Sequence, residues 1–334
     1  MSIGISVFVF IVCLVATLVS SEMLVRGLTV LGIKFKLTDG CLGLLTALGA
    51  DAPEVAAAIA SLFAGSADLG RSVVLGSNLF NLAMLLGLSA VLAGQVRIRR
   101  QGLKLDGTVA LLTLLVVAAL LLGLLPSVLV VVLLAVLLIP YLMLVSMRPR
   151  HIDRLPLPDD LAHLLARAAS EIHEEEKVPQ ESEISWVPIF LLPLSLLVIV
   201  VASIWLVKTA LILAQAWQLP HALVGGVILA GLTSLPNAYT AIHLALRGQG
   251  AAVVSATVNS NTINLVAGLA LPALLIGMSG AASDVGVELG WLLGMTVIGL
   301  LLLIPARGMT RIGGATMIVL YALFVIVHLH WPNI

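Results

Sequence analysis

The chain is expected to be an all-α polytopic membrane protein: ten transmembrane helices forming two inverted-topology five-helix repeats, with broken helices at the centre. Three observations predict this. Hydrophobic residues make up 60% of the 334 residues and charged ones only 10%, with a mean hydropathy of +1.17; soluble domains are about 25% charged. The stretch 46–82 recurs 183 positions later as 229–265, with ten of 37 aligned residues identical and no gap. Basic residues alternate between the connections in a way that turns the two halves over relative to each other.

A membrane span needs about 20 mostly apolar residues. Ten such segments lie near 3–25, 39–63, 69–93, 107–125, 127–147, 187–214, 221–246, 251–277, 286–305 and 312–331. The first lacks a basic leader and exceeds the roughly 7–15 apolar residues of a signal peptide, so it reads as a retained helix. A tight turn around Gly123 to Pro126 separates the fourth from the fifth. The expected organisation is a first repeat at 1–147, a linker at 148–186 and a second repeat at 187–334.

Lys and Arg concentrate in cytoplasmic loops. With both termini outside, the cytoplasmic connections collect Arg26, Lys34, Lys36, Arg97, Arg99, Arg100, Lys104, Arg247, Arg307, Arg311 and the five basic residues of the linker. Only Arg71 and Lys208 fall elsewhere. Five spans per half then force the halves into opposite orientations. Inverted repeats are a transporter architecture, with the substrate site at the repeat interface near mid-membrane.

The linker carries nine acids, including Glu174, Glu175 and Glu176, against Arg148, Arg150, Arg154, Arg167 and Lys177. Leu161, Leu164, Leu165, Ala168 and Ile172 recur at helical spacing. It reads as a solvated connector with a short amphipathic helix on the membrane surface. The sharper reading, a regulatory cation sensor, lacks a twelve-residue calcium loop. Trp186, Trp217 and Trp331 sit at span ends as interfacial anchors. His328 and His330 are expected at the outer interface, and His243 is a weak candidate for a proton relay. Cys13 and Cys41 read as small apolar-segment residues, not a disulfide framework. Zero net charge and the lack of a basic-aromatic platform give no sign of a nucleic-acid partner. No HExxH, Ser-His or Ser-Lys dyad or cofactor loop suggests an enzyme.

The chemistry concentrates in the repeated stretch. Asp51, Pro53 and Glu54 stand inside an apolar segment, and ionisable groups at such depth mark ion pathways by default. Pro53 and Pro236 each remove a backbone donor and open their span. Oxygen-bearing side chains flank both breaks: Asp51 and Glu54 in the first copy, Thr233, Ser234 and Asn237 in the second. Ser77, Asn78 and Asn81 follow in the third span, and Ser260, Asn261 and Asn264 in the eighth. Ser77 and Asn81, like Ser260 and Asn264, are four apart and share a helix face. Hard oxygen donors without thiolates or clustered imidazoles suit sodium, calcium, magnesium or manganese rather than zinc or copper. Ser72, Ser255 and Thr257 read instead as small polar residues that join helices.

GADAPEV and GSNLFN in the first half, with LTSLPN and NSNTIN in the second, resemble the two alpha repeats of the sodium/calcium exchanger superfamily of cation antiporters. The resemblance covers both repeats and the ten-span layout. It implies that Glu54, Asn81, Asn237 and Asn264 ring a central metal site. It also implies that Ser77, Thr233 and Ser260 flank that site at sodium positions, with the backbone carbonyls of Ala47 and Ala230. The first and sixth spans would be the long helices that slide to alternate access. No resident cofactor is implied; Ca2+, Na+ or H+ would be substrates, and the partners inorganic cations and the lipid bilayer.

The chain departs from the family pattern in its charges. Asn237 stands where a second glutamate is usual, and Asn264 is neutral where many members carry aspartate. Ala50 and Asp51 replace the usual threonine and serine. Glu54 is therefore the retained acid and Asp51 an added one. The expected function is secondary antiport, with calcium exchanged for sodium or protons, in a prokaryotic inner membrane. Two alternatives stay open: a monovalent cation/proton exchanger of the same fold, and a transport-inactive scaffold.

Overall fold

A computed structural model describes residues 2–35, 37, 39–98, 100–146, 186–220, 223–277, 285–305 and 307–330. The expected linker helix and Trp331 lie outside the described residues. Among the described residues eight helices are long and apolar enough to cross a membrane, and two bent pairs complete a set of up to ten. The first half comprises α1 (Ile3–Lys34), the bent pair α2 (Asp39–Ala50) and α3 (Ala52–Phe63), α4 (Ala67–Asn81) continued through α5 (Ser89–Ala93), α6 (Arg100–Leu121) and α7 (Ser127–Ser146). The second half repeats the order. A short α8 (Val187–Phe190) leads into α9 (Leu192–Ala216). The bent pair α10 (Ala230–Thr233) and α11 (Leu235–Leu246) follows, then α12 (Gly250–Leu265), α13 (Val285–Leu303) and α14 (Arg311–His330).

Burial runs opposite to that of a soluble protein. Phe8, Val136, Phe190 and Leu275 are exposed, while Asp51, Glu54, Ser77, Asn78, Asn81, Thr233, Ser234 and Asn264 are fully buried. An apolar solvent outside and polar groups within are what a bilayer imposes, because a polar group facing hydrocarbon has no partner. The chain is an integral membrane protein.

The bent spans break in the same way. α2 and α3 meet at 51°, and the helical stretch ending at Thr233 meets α11 at 52°. The residue at each corner has nearly the same backbone: Asp51 at φ −86°, ψ −2° and Ser234 at φ −85°, ψ 0°. The corner therefore precedes the proline by two residues, and Pro53 and Pro236 sit in the first turn of the next helix, where a missing N–H costs nothing. Pro53 withdraws the donor that would reach the Gly49 carbonyl four residues back. That carbonyl accepts from Ser21 Oγ of α1 at 2.9 Å, so protein satisfies it. The turns that close both broken spans use Gly65 and Gly248, each at φ +76°, a conformation open to glycine at little cost.

The third and eighth spans share a second device. After Asn81 the helix widens into a π-helical turn over Leu82–Leu88, and after Leu265 into another over Val266–Ala270. Such widenings often accompany functional positions because they re-aim the preceding side chains. The halves interlock at the centre: α4 packs on the broken seventh span and on α12, while α12 packs on α2. Gly76 of α4 lies against the Gly226 backbone, where a Cβ atom would overlap it. α1 and α9 lie along each other beside this core. One addition to the all-α expectation is a two-stranded antiparallel ladder, β1 (Gln95–Val96) with β2 (Met309–Thr310), pairing Gln95 with Thr310.

Candidate cation site

The two corners and the two asparagine-bearing helices meet at the middle of the interlocked core. Asn237 Nδ2 donates to Asp51 Oδ1 at 2.8 Å, and Ser234 Oγ donates to Glu54 Oε1 at 2.7 Å. These are one contact made twice. Asp51 and Ser234 are equivalent positions in the repeats, as are Glu54 and Asn237, so each corner residue meets the other repeat's residue three places on. With the carboxyl groups ionised, such bonds are stronger than neutral ones. Glu54 and the Ser260 hydroxyl also lie close enough to Asp51 to act on its carboxyl group.

The following helices are clamped by the same symmetry. Asn78 Nδ2 donates to the Asn261 carbonyl at 3.1 Å, and Asn261 Nδ2 donates to the Asn78 carbonyl at 3.2 Å. Asn81 Nδ2 adds a bond to Asn261 Oδ1 at 3.1 Å. The equivalent bond from Asn264 to Asn78 is not made: Asn78 Oδ1 and both polar atoms of the Asn264 amide are buried without a hydrogen-bond partner. So are Asp51 Oδ2, Glu54 Oε2, Ser77 Oγ and Asn81 Oδ1. Buried polar atoms without partners are rare and call for an explanation. Here they are mostly hard oxygens around two carboxylates, a donor set for sodium, calcium or similar cations. Among the described residues no three His, Cys, Asp or Glu side chains gather as a metal cluster.

The remaining expected residues stand close by, with some oxygens already engaged. Thr233 Oγ1 donates back to the Leu229 carbonyl at 2.9 Å. The Ala47 and Ala230 carbonyls accept from the Asp51 and Ser234 amides at 2.9 and 3.1 Å. A cavity of about 450 Å³ runs from exposed Arg247 and Glu22 inward past Thr46 and Ala47 to Asn237 and Ser260. The site is thus approached from the Arg247 side of the protein.

Two expectations about histidine resolve differently. His243 is exposed and stacked on Tyr239, whereas Asp51 and Glu54 are fully buried. His328, expected at the interface, is buried instead: its Nδ1 lies 3.0 Å from the Phe324 carbonyl and its Nε2 4.0 Å from Glu288 Oε1. Ser72, read as helix glue, donates to Glu288 at 2.9 Å. Glu288 and a further buried acid, Asp106, escaped the sequence reading. Their one signal was an isolated carboxylate at the edge of an apolar run.

The paired inverted repeats with their two broken spans define a membrane protein of transporter architecture. The profile of the sodium/calcium exchanger protein family matches residues 5–149 and 187–329, and the chain belongs to that family. It is 25% identical over 266 residues to the inner membrane protein YrbG of Escherichia coli (strain K12), covering 79% of this chain and 78% of that one. It is 35% identical over 77 residues to a protein of Alkalimonas amylolytica with the provisional name antiporter CaxA; that match spans only 24% of the relative. Among solved structures, the sodium-calcium exchanger NCX_Mj soaked with 2.5 mM Na+ and 0.1 mM Sr2+ has the same fold. The TM-score is 0.61 at 20% identity, covering 97% of this chain and 99% of that one.

Proposed function

We propose that the chain is a secondary active antiporter that carries calcium, or another divalent cation, against sodium or protons by alternating access. The observation that carries this reading is the hydrogen bond from Asn237 to Asp51. The second repeat lacks an acid at 237, and Asp51 of the first repeat brings one to that residue. With Glu54 the site then holds two carboxylates, matching the charge of a divalent ion. A single carboxylate would match only a monovalent one.

In this reading Asp51, Glu54, Ser77, Asn78, Asn81, Thr233, Ser234, Asn237, Ser260, Asn261 and Asn264 supply side-chain oxygens, with Glu54 the essential ligand. Asn81, Asn237 and Asn264 complete the ring around the metal, and Ala47 and Ala230 offer carbonyl lone pairs. The membrane is a prokaryotic inner membrane, with the Arg247 side cytoplasmic, so the cavity faces inward. α1 and α9 slide over a mostly apolar groove of about 730 Å³ lined by Leu28, Ile59, Ile199 and Val200, where the bond from Ser21 of α1 to the Gly49 carbonyl has to give way.

The neutral amides at 237 and 264 favour a second reading, exchange of sodium or protons without calcium. Calorimetry on the purified protein separates the two. Calcium binding that Asp51→Asn abolishes supports the divalent reading, and sodium binding alone supports the second.

A further inference from the structure

Asp106 is almost fully buried on α6, the seventh residue of that helix and so about 9 Å along its axis from Arg100. Tyr141 of α7 places its hydroxyl oxygen 3.2 Å from Asp106 Oδ1 and 3.2 Å from the side-chain oxygen of Asn259 on α12. Asn259 in turn lies 3.2 Å from Ser255 Oγ. Ser255 and Asn259 line the cavity that leads to Asn237 and Ser260. A chain of polar groups from three helices thus joins the cavity wall to a buried acid that has no part in the central ring.

The Asp106 carboxyl group is not matched by a cation among the described residues. Lys104, two positions earlier, is exposed and on another face of the helix. Of the elements packed on α6, α7 contributes Tyr141, α12 and the turn Val266–Ala270 have no titratable residue, and α13 has only Glu288, held by Ser72. On α2, which packs on α7, the titratable residues are Asp39 and Cys41. A carboxylate buried at a membrane-spanning helix without a counter-charge is costly, so it takes up a positive charge. The deficit is one unit, which a proton or a monovalent metal ion fills and a divalent ion overshoots.

The other half carries the counterpart. Glu288 lies on the fourth span of its repeat, one position out of register with Asp106, and meets Ser72, the repeat equivalent of Ser255. The fold therefore places a buried acid against each central helix, and the cavity reaches the chain that ends at Asp106.

We propose that Asp106, with Tyr141 and Asn259, forms a second cation site behind the cavity wall, filled by one monovalent cation, a proton or Na+. The proposal rests on the cation-transport reading for its role as a side station on the ion path. Infrared spectra of the full chain in lipid, titrated with acid and separately with NaCl, test it without requiring flux. A proton occupant gives a carboxylic-acid band on acidification that is lost in Asp106→Asn and displaced in Tyr141→Phe. A sodium occupant gives a carboxylate-stretch change on NaCl addition at fixed pH, lost and displaced in the same variants. Spectra of Tyr141→Phe that match wild type in both titrations overturn the proposal, and this variant decides the matter even where Asp106→Asn fails to fold. Absence of calcium or sodium flux in proteoliposomes whose spectra show the Asp106 band counts against the transport reading alone.

Discussion

Asn78 and Asn261 stand 183 positions apart, and each donates its side-chain amide to the other's backbone carbonyl, at 3.1 and 3.2 Å. Equivalent residues bonding to each other lie on a pseudo-twofold axis, so this pair marks the centre of the molecule. It holds α4 and α12 at the one place where their relative position sets the spacing of Ser77, Asn81, Ser260 and Asn264. Replacing Asn261 by Ala leaves the Asn81 amide without its partner and takes from the Asn78 carbonyl one of its two donors, the Leu82 N–H remaining. Each orphaned buried group costs about 1–3 kcal/mol. Asn261→Ala is therefore expected to lower the thermal unfolding midpoint clearly, while Thr316→Ala, on the exposed face of α14, leaves it within error.

Glu54→Gln keeps an oxygen to accept from Ser234 but removes one charge from the site. The protein is expected to fold and to lose cation exchange, measured as sodium- or proton-driven calcium uptake into everted vesicles. Wild-type uptake by this variant would sink the assignment of Glu54.

Asp51 and Asn237 are expected to be exchangeable as a pair. Asp51→Asn alone removes a carboxylate and abolishes calcium binding. Adding Asn237→Asp returns the charge to the other end of the same 2.8 Å hydrogen bond. Residues in direct contact couple by about 0.5–3 kcal/mol in double-mutant cycles, so the double variant should recover calcium affinity by at least several-fold over Asp51→Asn. Purely additive losses would show that the two side chains do not serve one site.

Gly76 has no room for a side chain, because its Cβ would overlap the Gly226 backbone. Backbone cannot move aside as a flexible side chain does, so Gly76→Ala pushes α4 away from the seventh span. Overpacking of this kind costs typically about 1–3 kcal/mol. Gly290→Ala, which meets nothing within 4 Å, is the matched control; a smaller loss of thermal stability at Gly76 than at Gly290 would refute the close packing.

The cavity gives an accessibility prediction. In a background of Cys13→Ser and Cys41→Ser, Ala256→Cys on the cavity wall is expected to react with a membrane-impermeant thiol reagent added from the Arg247 side. Saturating the central site with calcium should slow that reaction. Labelling only from the opposite side would contradict the access shown by the cavity.

Much of this was legible in the residues themselves. Apolar runs, the 183-residue repeat and the paired prolines are local or periodic signals, and they sufficed to predict a helical membrane protein with up to ten spans and to single out the polar residues that are buried around Asp51 and Asn237. The corner two residues before each proline was less legible, since a proline marks a helix start as readily as a break. What the tertiary structure decided were contacts between residues far apart in the chain: Asn237 with Asp51, Ser234 with Glu54, Ser72 with Glu288, and Tyr141 with Asp106 and Asn259. Composition and spacing report on a few turns of one helix. Which two side chains meet across 180 residues depends on how whole helices pack, and the close approach of Gly76 to Gly226 sets that register. The residues alone therefore put two acids inside an apolar span, and only the packing of the two repeats brought the acid at 51 within hydrogen-bond distance of the amide at 237.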